Sequence, residues 1–97
     1  MKKLLWLSRH HPNEDQIKIL EKKVSEVFVH TERVESINEI LELMKLHNTT
    51  EIMAVVSWEL LKELVRRDMK PIKAVMTGKN QFDYFEKIVK LETQRWE

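Results

Sequence analysis

The sequence predicts an α/β fold, because short apolar runs alternate with stretches of helical periodicity along the chain and the last two runs are joined by a turn signal rather than by a helix. Its 97 residues leave room for one hydrophobic core, so residues 1–97 are read as a single domain.

Lys3 to Leu7 is a continuous apolar run bounded by polar residues and Pro12, which suits a first strand buried on both faces. Asn13, with Gln16 three residues on, forms a capping-box pattern in which each side chain satisfies a backbone N–H, and Glu14 and Asp15 suit the helix dipole. Ile17, Leu20 and Val24 recur at helical spacing, which predicts a helix over 13–24 with those three on its buried face. Val27 to Thr31 reads as the second strand, with Phe28 in the core. Ser36 and Glu39 cap a second helix whose apolar stripe is Ile37, Ile40, Leu41 and Met44 and which ends near His47 and Asn48.

Glu51 to Val56 is a third apolar run, and Ser57 caps a third helix with Leu60, Leu61, Leu64 and Val65 buried. Pro71 introduces a fourth strand, Ile72 to Met76. Thr77 to Gln81 is a turn holding the only glycine, Gly78, and Phe82 to Glu92 reads as one long fifth strand. Right-handed crossovers place the helices on both faces of this β-α-β-α-β-α-β-β order. The expectation is a small Rossmann-like three-layer domain with a mostly parallel five-stranded sheet, order 2-1-3-4-5, closed by a C-terminal antiparallel hairpin.

Composition narrows the function classes. Seventeen basic and sixteen acidic side chains give a net charge of +1, which argues against a protein that coats duplex DNA. Without cysteine there is no disulfide, thiolate nucleophile or Cys-based zinc site, and a cytoplasmic location is expected. The apolar run at Met1 to Leu7 is too short for a signal peptide, and no window approaches the ~18 apolar residues of a membrane span, so no membrane partner is expected. No Gly-x-Gly-x-x-Gly or Walker loop follows any strand, which disfavours dinucleotide cofactors and P-loop hydrolysis, and no nucleophile elbow is present. No cofactor is expected.

Ligands of open α/β sheets bind beyond the carboxyl ends of the strands, here Ser8–Asn13, Thr31–Arg33, Ser57–Trp58 and Thr77–Lys79. The first of these holds a hydroxyl, a guanidinium and two imidazoles just before a helix N-terminus, a setting that favours an anion such as phosphate. Arg9 can clamp phosphate oxygens, and His10 or His11 can donate a hydrogen bond or move a proton. The plainer reading is a turn in which Ser8 and Asn13 satisfy backbone and the histidines face water. A metal at His10 and His11 needs further ligands, and none stands at a recognisable spacing. His30 and His47 sit in no motif and are read as structural. Ser57 and Trp58 offer a hydroxyl and a stacking surface, or simply a cap and a packing aromatic. Thr77 and Lys79 complete the candidate ligand-binding set. The last strand has apolar side chains on both faces (Tyr84, Phe85, Ile88, Val89, Leu91) and, with Trp96, is the candidate dimer surface, with packing inside one chain the equal alternative.

Leu7-Ser8-Arg9-His10-His11-Pro12-Asn13-Glu14-Asp15-Gln16 resembles the start of the small CRISPR-associated ring nucleases and their CARF-like relatives, in which a first strand ends in Ser-His or Arg-His and leads into a Thr-x-x-Gln helix start. Asn13 stands here in place of the usual Thr. The resemblance implies a homodimer that binds cyclic oligoadenylate across its two-fold axis, cyclic tetra-adenylate foremost, and sequesters it or cleaves it without metal in antiviral signalling. On that reading Arg9 and His10 are the catalytic pair, and Ser8, His11, Asn13 and Gln16 line the pocket. Arg9-His10 also resembles the Arg-His-Gly of histidine phosphatases, but His11 replaces the glycine and the chain is too short for that fold. The reading from another class is a non-catalytic protein-interaction module.

Overall fold

The computed structural model describes residues 2–78, 81–89 and 92–96. Strand β1 (Lys3–Leu7) is the second strand of a six-stranded sheet of order β2-β1-β3-β4-β5-β6. From β1 the chain passes through α1 (Glu14–Lys23) to β2 (Glu26–His30), which pairs parallel to β1 at the edge of the sheet. It then returns through α2 (Ile37–His47) to β3 (Glu51–Ala54), on the other side of β1. Helix α3 (Trp58–Arg66) leads to β4 (Ile72–Gly78), the last parallel strand, and β5 (Gln81–Val89) folds back antiparallel. The expected α/β fold and strand order are those observed.

The sheet separates two apolar layers, and the period-two alternation of β1 supplies both. Leu5 and Leu7 face α2 and α3, where they pack with Ile40, Ile52, Leu60 and Leu64. Leu4 and Trp6 face α1, where they meet Leu20, Val24, Met53, Ile72 and Phe85. Each helix starts where a side chain relieves its orphan N–H groups: Asn13 and Gln16 bond each other's backbone at 2.9 Å, and the hydroxyls of Ser36 and Ser57 accept from Glu39 and Leu60. At the end of α2, Asn48 adopts the left-handed conformation (φ 54°) that asparagine tolerates better than most residues.

The structure departs from the sequence reading in four places. The long last strand is two: β5 ends at Val89, and β6 (Glu92–Arg95) pairs antiparallel with it as the new edge. Thr77 and Gly78, expected in the turn, belong to β4, and Gln81 opens β5. Strand β3 stops at Ala54, because Val55 and Val56 turn up toward α3 after the Val55 N–H has bonded the Leu7 carbonyl at 2.8 Å. Ile17, on the apolar stripe of α1, is 39% exposed, where it lines an open groove between α1 and β2.

The C-terminal aromatics are used within the chain. Phe85 is 1% exposed, with Trp6 edge-on at 6.2 Å, Phe82 at 4.7 Å and Trp96 at 5.9 Å. Lys23 lies over the Trp96 ring at 5.0 Å. Phe85 is thus enclosed within the chain, while Trp96 is half-buried; Leu91 lies outside the described residues.

Candidate functional site

Because α1 leaves β1 on one face and α3 leaves β3 on the other, the loops after these neighbouring strands splay apart and open a crevice. A cleft of about 710 Å³ occupies that position. Its walls come from three loops: Ser8, Arg9 and His10 after β1, Thr31 to Glu35 after β2, and Val55 to Ser57 after β3. Leu7, Val34 and Leu60 form a buried apolar base, while Val55 is 68% exposed at the rim.

The β1 loop is held from below. The indole Nε1 of Trp6 donates to the His10 carbonyl at 2.8 Å, and the His10 N–H donates to Ser8 Oγ at 3.3 Å. The Ser8 N–H in turn bonds the His30 carbonyl at 3.3 Å, which joins this loop to the end of β2. Arg9 and His10 are therefore exposed side chains on an anchored backbone.

Two arginines and two glutamates line the cleft, so its charge is divided rather than uniformly basic. Arg33 Nε lies 3.6 Å from Glu35 Oε1. Among the described residues Arg9 has no ion-pair partner, and its guanidinium is the charge left for an incoming anion. The N-terminus of α3, capped by Ser57, opens at the same cleft and adds a positive dipole end.

The structure brings together four of the sequence candidates, Ser8, Arg9, His10 and Ser57. Asn13 and Gln16 instead form the cap of α1, with Gln16 only 7% exposed and its Oε1 taken by the Asn13 N–H. His11, Trp58 and Thr77 are exposed but do not line the cleft, and Lys79 lies outside the described residues. Glu32, Arg33, Val34 and Glu35 are wall residues that carry no motif; only the position of Thr31–Arg33 at a strand end pointed to them. Among the described residues no group of three or more His, Asp or Glu side chains could hold a metal ion, and no helix is long and apolar enough to cross a membrane.

An α/β domain with a cleft at its topological switch point is the class of protein that fold and site define. No family model, curated protein or solved structure matches the chain.

Proposed function

We propose that the cleft binds a nucleotide phosphodiester, and that its ligand is a cyclic oligoadenylate, cyclic tetra-adenylate foremost, which the chain sequesters or cleaves. The observation that carries this reading is Arg9: a guanidinium without an ion-pair partner, on an anchored loop, at the mouth of a cleft that also receives the N-terminus of α3. The choice of ring rests on the resemblance of residues 7–16 to the ring nucleases.

Cleavage needs no metal on this reading. A ribose 2′-hydroxyl gives up its proton to solvent as its oxygen attacks the adjacent phosphorus, the bond to the 5′-oxygen breaks, and a 2′,3′-cyclic phosphate and a 5′-hydroxyl end result. Arg9 would stabilise the charge that accumulates on the phosphoryl oxygens, and His10 would deliver a proton to the departing 5′-oxygen. A ring larger than one cleft would be completed by a second chain, mouth to mouth, where Val55 and Trp58 are 68% and 65% exposed.

The test is a thermal-shift series with cyclic tri-, tetra- and hexa-adenylate in the absence of metal, followed by chromatography of the nucleotides. A ligand that binds the native state raises the melting temperature by mass action. Stabilisation by one ring supports the proposal, and linear products with 2′,3′-cyclic phosphate ends separate nuclease from sink. No shift with any ring would favour the protein-interaction module.

A further inference from the structure

The sheet has two edges, β6 and β2. β2 reads Glu-Val-Phe-Val-His, with no lysine, proline or bulge to blunt it. Among the described residues, three exposed large apolar side chains flank this edge: Val29 on the strand, Ile17 on α1 and Leu46, 76% exposed, on α2. An open groove of about 290 Å³ runs beside the strand between Ile17, Leu20, Val24, Val27 and Val29, so α1 does not overhang it.

The backbone of β2 is free in a register that suits a second copy of itself. The His30 carbonyl points inward, accepting from Ser8, so by alternation Glu26 and Phe28 also bond β1 while Val27 and Val29 present N–H and C=O outward. From these observations we infer that β2 pairs antiparallel with β2 of a second copy, on a two-fold axis through Phe28, extending the sheet across both chains. In that register Val27 faces the partner's Val29 as a hydrogen-bonded pair, and Phe28 faces the partner's Phe28. Glu26, whose carboxylate lies 3.8 Å from Lys3 Nζ of its own chain and is 54% exposed, faces the partner's His30, an acceptor opposite an imidazole donor, and the symmetry makes this match twice. The strand is self-complementary in hydrogen bonding and in apolar contact.

This surface is separate from the cleft. Neither Glu26, Val27, Phe28, Val29 nor His30 lines the cleft, and the antiparallel axis leaves the two clefts at opposite ends of the joined sheet, both open, so this contact is distinct from any mouth-to-mouth pairing across a ligand.

The experiment is sedimentation equilibrium of the unliganded chain up to its solubility limit, with Val29→Lys, Glu26→Lys and the swap Glu26→Lys with His30→Glu. The expected result is a wild-type dimer, a monomeric V29K and a dissociation constant raised about tenfold by E26K and recovered by the swap, since each partner's lysine then meets a glutamate. A wild-type chain that stays monomeric, or a dimer that survives V29K, overturns the inference; the monomer would leave the edge to an extended segment of another protein. Should V29K fail to fold, amide exchange of the wild type decides. Protection of the Val27 and Val29 amides that rises with protein concentration supports the pairing, and protection independent of concentration overturns it.

Discussion

The indole Nε1 of Trp6 donates a 2.8 Å hydrogen bond to the backbone carbonyl of His10, and this bond fastens the loop that carries Arg9 to the buried side of the sheet. Trp6 is 3% exposed and cannot shift without disturbing Leu4, Leu20 and Phe85 around it. Trp6→Phe keeps an aromatic ring but removes the donor. It is expected to cost about 0.5–1.5 kcal/mol in chemical denaturation and to weaken ligand binding by loosening the loop. An affinity equal to wild type would show that the loop is held by other means.

Arg9→Ala should weaken binding of the cyclic nucleotide by about 1.5–3 kcal/mol, the range for a charge-assisted hydrogen bond, and leave the folding free energy within about 0.5 kcal/mol of wild type. The stability arm follows from its exposed position without an ion-pair partner among the described residues. Titration calorimetry together with a denaturant melt reads both quantities.

His10→Ala should slow cleavage more than it weakens binding, by about 10²–10⁴-fold for a group that transfers a proton in the transition state. Its backbone bonds to Trp6 and Ser8 do not involve the imidazole, so the loop should keep its path. Single-turnover rates at saturating ligand separate the two effects. Equal losses in rate and affinity would make the imidazole a binding group only.

Asn13→Ala removes the acceptor for the Gln16 N–H and half of a reciprocal cap, and should destabilise the fold by about 0.5–2 kcal/mol. Asn13→Ser should recover most of the loss. Ligand affinity, corrected for the fraction folded, should not change, because neither Asn13 nor Gln16 lines the cleft. A selective loss of affinity with normal stability would return both residues to the binding site.

Phe85→Ala should cost about 3–5 kcal/mol in a thermal or urea melt, since this ring is 1% exposed at the junction of Trp6, Phe82 and Trp96. A domain this small has little stability in reserve, so the variant should be largely unfolded near body temperature.

Local signals carried most of the fold. β1 coincides with its apolar run, and Asn13, Ser36 and Ser57 each cap the helix expected of them, because caps and buried strands depend on adjacent residues. The break between β5 and β6 was not legible: positions 90 and 91 are Lys and Leu, with neither glycine nor proline to mark a turn. Nor was the exposure of Ile17, which lines an open groove between α1 and β2 although its periodicity is that of the helix's apolar stripe. At the site, Arg9 and His10 were found from their place after β1. Glu32 to Glu35 reach the cleft only because the crossover through α1 brings β2 beside β1, a tertiary relation without a sequence motif. Asn13 and Gln16 were ambiguous for a physical reason, since the pattern that caps a helix is also the one the ring nucleases resemble there.

The central claim is that a nucleotide phosphodiester occupies the cleft between the β1, β2 and β3 loops. It is tested most directly by titrating cyclic tetra-adenylate into isotopically labelled protein and following backbone amide resonances. The account predicts saturable shifts at Ser8–His10, Thr31–Val34 and Val55–Ser57, lost in Arg9→Ala. Absence of shifts, or shifts confined to residues far from those loops, would contradict it.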